Sequence, residues 1–147
     1  SEIAQPYGVK FTPDHAFLMA SDSAGRAVWS YLVKPDGKLD FGVPFLRLEL
    51  PDEVGSGTLR SEAKGLALDS DGFLYTATLL GIQIVDPPGK TVGILNKPGN
   101  AVPTHVTFGG PDFKVLYASA GDKVYRRVIK RQGVRTWVAM KPPRPRL

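Results

Sequence analysis

Apolar and polar positions alternate in short bursts along this chain, and no stretch sustains the 3.6-residue period of an amphipathic helix. Runs such as GVKFT, FLMASDS and AVWSYLV near the start are each the length of a strand. GLALDS, FLYTATL and GIQIVD in the middle repeat that pattern, as do HVTFGG, VLYASAG and KVYRRVI towards the end. Gly, Pro and Asp punctuate the runs, and these are the residues that tight turns favour. The pattern predicts an all-β chain of short strands joined as antiparallel hairpins.

Self-similarity organises the strands into three units, opening at Pro6, Ala63 and Pro103. Each begins with a short apolar strand, followed by an Asp-containing turn: PDH, SDG and PDF. A second strand ends in small residues, a third alternates, and a fourth closes the unit as PFLRLEL, TVGILNK and RTWVAM. Four short strands per unit describe the blade of an antiparallel β-propeller. The units span residues 6–60, 63–100 and 103–140, with 141–147 left as a basic, Pro-rich tail. From Gly8 to Gly65 is 57 residues and from Gly65 to Val106 is 41, so the first unit carries an insertion around LPDEVGSGTLRSE. Tyr75 and Tyr117 hold the same place in their units, where Phe17, Leu18 and Met19 run in the first. They are expected to pack between blades, and Trp29 and Trp137 to anchor outer strands.

A blade buries its faces only against neighbouring blades, and propellers close with four to eight of them. Three blades leave two faces open, so the expectation is half of a six-bladed ring, completed by homodimerisation. A fragment of a longer chain is the alternative; the closing KPPRPRL reads instead as a natural terminus.

Charge and composition narrow the function classes. The net charge of +5 is uneven: residues 123–147 hold nine Lys/Arg and no acid, whereas residues 1–122 hold ten bases and fourteen acids. No helix-turn-helix, zinc-finger or RNA-recognition pattern accompanies the basic end, so nucleic acid is not the expected partner. The longest apolar runs fall far short of the ~20 residues that span a bilayer, and SEIAQPYG lacks a signal pattern. The chain reads as soluble with no membrane partner. With no Cys it has neither a disulfide framework nor a thiolate metal site, which fits the cytoplasm without fixing it.

PYGVKFTPD, AKGLALDSDGFLYTAT and PTHVTFGGPDFKVLYASAGDKVYR resemble the C-terminal half of the senescence-marker-protein/gluconolactonase/luciferin-regenerating-enzyme family. The corresponding family runs read PNGLAFSPD, PDGLAVDxxGNLYVA and PTNxAFGGPDxxTLYVTA. The resemblance covers residues 6–128 and implies a six-bladed propeller whose first three blades this chain lacks. It also implies lactone hydrolysis with a divalent cation, calcium or zinc, at the mouth of the central channel. An Asn of the PNG run and an Asp of the PDG run are ligands there, the Asp also serving proton transfer, and a Glu of a missing blade completes the set. Here the Asn position is Tyr7, the Asp position is Lys64, and the Asn-like position of the last opening is His105. A Lys ammonium repels a hard cation. The expectation is therefore a lost metal site, and no metal or other cofactor is assigned.

Tyr7, Lys64 and His105 each stand at the start of an innermost strand, positions that converge on a channel mouth. The functional reading is a cationic, aromatic-lined pocket for a small anion or sugar acid, in a binding or assembly module. A sharper version makes Lys64 a reactive amine, and the bland one leaves it solvated, with Tyr7 as packing and His105 in a turn. Asp22 and Arg26 join the candidate site on the match of ASDS to a family feature near the channel. The alternative function is a lactone or ester hydrolase working with a relocated metal or with none. His15 reads as an exposed turn residue. GSG at 55–57 lacks the ending of a phosphate-binding loop, and Ser21, Ser23 and Ser119 lack a nucleophile elbow.

Overall fold

The computed structural model describes residues 2–52, 60–135 and 137–138. The first of its three antiparallel sheets pairs β1 (Pro6–Phe11), β2 (Phe17–Asp22), β3 (Ala27–Val33) and β4 (Leu39–Arg47) in simple order. The second pairs β5 (Leu66–Leu68), β6 (Leu74–Thr78), β7 (Gly81–Val85) and β8 (Thr91–Leu95) in the same way. The third contains β9 (Pro103–Gly109), β10 (Val115–Ala120) and β11 (Lys123–Val128), with β10 in the middle. A 3₁₀ turn, Pro98–Asn100, leads from the second sheet to the third. No helix among the described residues is long and apolar enough to cross a membrane.

Short polar side chains make the hairpins between the first two strands of each sheet. Asp14 Oδ1 accepts from the Thr12 hydroxyl at 2.6 Å and from the Ala16 N–H at 3.0 Å. Asp69 Oδ1 accepts the N–H groups of Asp71 and Phe73, so the second turn is built on Asp69 and not on the Asp71 of the SDG run. Asp112 Oδ1 accepts the Lys114 N–H at 3.2 Å. These side chains replace backbone partners that the turn cannot supply.

Register aligns the sheets residue by residue. Val9 and Phe11 face Ala20 and Leu18; Leu66 and Leu68 face Thr76 and Leu74; Val106 and Phe108 face Ala118 and Leu116. One side of the second sheet thus carries Leu66, Leu68 and Leu74, buried against Met19, Val28 and Leu46 of the first. The third sheet presents Val106, Phe108 and Leu116 to Ala67, Tyr75 and Ile82 of the second. Tyr75 meets the Phe108 ring edge-on at 5.0 Å, the inter-sheet role expected of it.

The same positions at the two ends of the stack are bare. Val9 is 58% and Phe11 41% exposed on the outer face of the first sheet. Val28 and Ile82 are buried, yet their counterpart Val124 on the third sheet is 73% exposed. Tyr117, the register mate of Tyr75, is likewise only half-buried. Each such side chain gains about 1.5–3 kcal/mol on full burial, so both faces remain strongly apolar surfaces in water.

Among the described residues one expected strand does not form. RTWVAM was to close the third unit, but Arg135, Trp137 and Val138 lie outside any strand; Thr136, Ala139 and Met140 fall outside the described residues. The chain instead turns back after β11 and runs along the free edge of β5. Ser70 N–H donates to the Gln132 carbonyl at 2.8 Å and Val134 N–H to the Leu68 carbonyl at 3.1 Å, with Gly133 bridged to Asp69. Edge groups of β5 that otherwise lack partners drive this return. Arg131 lies 3.6 Å over the Phe73 ring and pairs with Asp69 and Asp71, holding the segment down. Trp137 touches Phe113 edge-on and is 69% exposed, so it does not anchor an outer strand. His15 is also less open than expected: it adopts φ 60°, packs its ring against Phe11 and buries Nε2. The insertion at 53–59 and the tail at 141–147 lie outside the described residues.

Two outcomes follow from this packing. A Cβ at Gly65 would stand 2.7 Å from the His105 Cα, so Gly65→Ala should cost roughly 1–3 kcal/mol in urea denaturation. Gly93→Ala, with nothing within 4 Å, should stay within about 0.5 kcal/mol. Burial pushes the Asp69 carboxyl above its usual range, outweighing the Phe73 N–H and the Arg131 charge. Its contribution to stability is then full below the ordinary carboxylate pKa and is lost as pH rises through the raised value. Denaturation of the wild type against Asp69→Asn should therefore show the difference moving in the variant's favour from about pH 3 to about pH 7.

Candidate functional site at the start of the inner strands

The first strands of the three sheets lie side by side, and at their N-terminal ends the backbones nearly touch. A Cβ on Gly8 would lie 2.6 Å from the Lys64 carbonyl oxygen, which leaves room only for glycine. Gly65 fills the same role against His105, and its N–H donates to the Thr104 carbonyl at 2.9 Å. The buried Ser21 hydroxyl accepts from the Gly8 N–H at 2.8 Å and donates to the Lys64 carbonyl at 2.6 Å. Ser21 is thus a structural clasp between two sheets. Lys64 N–H in turn donates to the Ala77 carbonyl at 2.9 Å.

This clasping gathers three of the predicted residues. The Tyr7 and His105 rings lie 5.6 Å apart, tilted by 55°, although they belong to the first and third sheets. Lys64 stands two residues before β5, the inner strand between theirs, and is half-exposed. The three are not strict equivalents. Register matches Tyr7 and Lys64 with Thr104, whereas His105 takes the place that Gly8 and Gly65 hold in the other sheets. Thr104 shares a hydrogen bond with the Ser119 hydroxyl at 2.8 Å, and its sequence gave no chemical signal beyond a polar residue beside His105.

Asp22 and Arg26 are turned to other tasks. Asp22 sits opposite Pro6, near the mouth, but its oxygens accept the N–H groups of Ala4, Gln5 and Ala24. That carboxylate pins the segment leading into β1. Arg26 stands before β3, where Nε donates to the Leu48 carbonyl at 2.8 Å and the guanidinium lies 3.9 Å from Glu49. Neither joins the Tyr7–His105 pair.

Further along the inner strands lies a residue that the sequence reading passed over. Lys10 interrupts an otherwise apolar strand, and it lines a small cavity with Ala67, Thr107, Phe113, Val134 and Trp137. Among the described residues no group of three or more His, Asp or Glu side chains is placed to hold a metal ion.

Antiparallel sheets stacked face to face, with their first strands gathered at one side, define a propeller-type all-β protein. The SMP-30/gluconolactonase/LRE-like region matches residues 1–121, and the chain belongs to that family. It is 30% identical over 116 residues to 6-deoxy-6-sulfogluconolactonase of Pseudomonas putida, an alignment covering 77% of this chain and 37% of that enzyme. The chain therefore spans little more than a third of the curated relative it matches. Among solved structures, a luciferin-regenerating enzyme superimposes with a TM-score of 0.72 at 23% identity, over 90% of this chain and 48% of that one. Regucalcin of Agrobacterium tumefaciens, a calcium-binding protein, gives 0.72 at 17% identity, over 89% and 48%. At these identities the structural likeness concerns the fold.

Proposed function

We propose that this chain is a gluconolactonase-type propeller module whose inner-strand mouth binds a small sugar-acid anion. The observation that carries the reading is the approach of the Tyr7 and His105 rings to 5.6 Å where the Lys64 backbone abuts Gly8 and Gly65 abuts His105. An ammonium supplies charge, while a phenol and an imidazole offer directional hydrogen bonds to hydroxyls and carboxylate. The divalent cation implied by the family does not fit these residues. Where an oxygen-rich set is needed, Tyr7 and Lys64 offer a phenol and a cation, and a hard metal ion prefers carboxylates and carbonyls. No step is routed through such an ion.

Similarity to a sulfogluconolactonase favours a second reading, lactone hydrolysis with a relocated metal or with none. Both readings bring an aldonate to the same mouth, as ligand or as product. Calorimetric titration with gluconate should show binding, and Lys64→Met should weaken it by about tenfold or more, the scale of one charge-assisted hydrogen bond. Hydrolysis of glucono-δ-lactone that appears on adding calcium or zinc and vanishes with chelator would overturn the binding-module reading in favour of the enzyme.

The mouth is half of a larger opening in this reading. The three sheets are three blades, and the two bare faces are the two halves of an interface that the chain already makes twice within itself. Val9, Phe11 and Leu18 repeat the positions that receive a preceding sheet; Tyr117 and Val124 repeat those that enter a following one. A second copy, related by a two-fold axis, satisfies both faces and gives six blades. Light scattering should return twice the 15.9 kDa chain mass. Phe11→Asp should halve that mass while leaving the β-sheet circular dichroism intact; a wild-type monomer stable to concentration would sink the two-copy ring.

A further inference from the structure

The cavity around Lys10 deepens the anion-site reading just given and rests on it. Register places Lys10, Ala67 and Thr107 at one level of the three inner strands, opposite Met19, Tyr75 and Tyr117. They lie three residues past the Tyr7, Lys64 and Thr104 level, towards the far end of the strands. At that far end the free edge of β5 is taken by Gln132–Val134, which crosses from the third sheet. Gly133 makes the crossing feasible, because a Cβ there would collide with Phe108. Val134, Phe113 and Trp137 complete the lining of the cavity, about 80 Å³ in volume, on the side away from the mouth.

The cavity is floored by the chain's own C-terminal segment, and Tyr7 and His105 stand exposed at the opposite end of the inner strands. Among the described residues that line the cavity, the cation is Lys10. Lys10 is half-buried and enters no ion pair among the described residues. Phe108, Phe113, Val134 and Trp137 line the same cavity as Lys10, and an anion held there beside its ammonium is screened less than at the open surface. The volume suits an oxyanion group of a few atoms and excludes a whole sugar.

We propose that Lys10 is the specificity-determining residue of a floored pocket, binding the carboxylate of an aldonate-class ligand whose hydroxyls reach towards Tyr7, Lys64 and His105. The Thr107 hydroxyl at the same level supplies a second donor to the carboxylate. An uncharged sugar of the same shape gains nothing from this arrangement.

The test compares gluconate with glucose by calorimetry on the wild-type chain, Lys10→Met, Lys10→Arg and Lys64→Met, with thermal midpoints checking that each variant folds. Gluconate should bind the wild type at least about tenfold more tightly than glucose, and Lys10→Met should abolish that preference while Lys10→Arg keeps it within about threefold. The two tryptophans add a local readout: Trp29→Phe leaves Trp137 as the sole emitter, and gluconate should shift or quench its fluorescence. Gluconate affinity unchanged in Lys10→Met but lost in Lys64→Met overturns the Lys10 assignment and leaves the mouth reading standing. A wild type that binds no gluconate overturns both. If Lys10→Met fails to fold, gluconate binding with silent Trp137 emission overturns the pocket on its own.

Discussion

Two glycines set the spacing on which everything else in this molecule depends. Gly8 lies against the Lys64 carbonyl and Gly65 against the His105 Cα, at separations where any side chain would force the strands apart. The Ser21 hydroxyl bonds across the first of these approaches, and the Gly65 N–H across the second. With the inner edges locked together, the faces behind them have no freedom to slide. Met19 must meet Leu68 and Leu74, and Tyr75 must meet Phe108. The same lock carries Tyr7 and His105 to within 5.6 Å of each other, although 98 residues separate them in the chain. Core and candidate site are thus two results of one backbone contact.

A repeated interface has a further property: it has no natural end. Each sheet offers one face that receives and one that enters, so a stack of three always leaves one of each kind unmatched. Val9 and Phe11 on one side and Val124 on the other stay exposed within the single chain, yet they are the residue types that the interior uses at those places. Their exposure follows from position in the stack, not from local sequence.

Much of the fold was legible because the units share a grammar. Alternation located eleven strands, and the Asp turns marked the first hairpins, since both are fixed by neighbours in sequence. What could not be read depends on contacts between distant segments. RTWVAM alternates well enough for a strand, but Gln132–Val134 found the vacant edge of β5, more than 60 residues upstream. Tyr7, Lys64 and His105 are visible in sequence as strand openings, and the structure brings Tyr7 and His105 together; the one-residue offset of His105 emerges only from cross-strand register. Asp22 was chosen by resemblance, whereas its oxygens are held by the backbone of Ala4, Gln5 and Ala24. Lys10 was overlooked because a lone Lys in a short strand reads as solvated until the segment that floors its cavity is in view.

His105 stands where the first two sheets have glycine. Its Cβ occupies the gap through which Gly8 and Gly65 let the next backbone approach. No strand that follows the third sheet can therefore come as near as its predecessors did. In the two-copy ring proposed above the joints would be unequal: two narrow ones within each half, and a wider seam wherever His105 meets the next opening strand. The bore of that proposed ring would be longest perpendicular to the line joining its seams, with an imidazole at each seam.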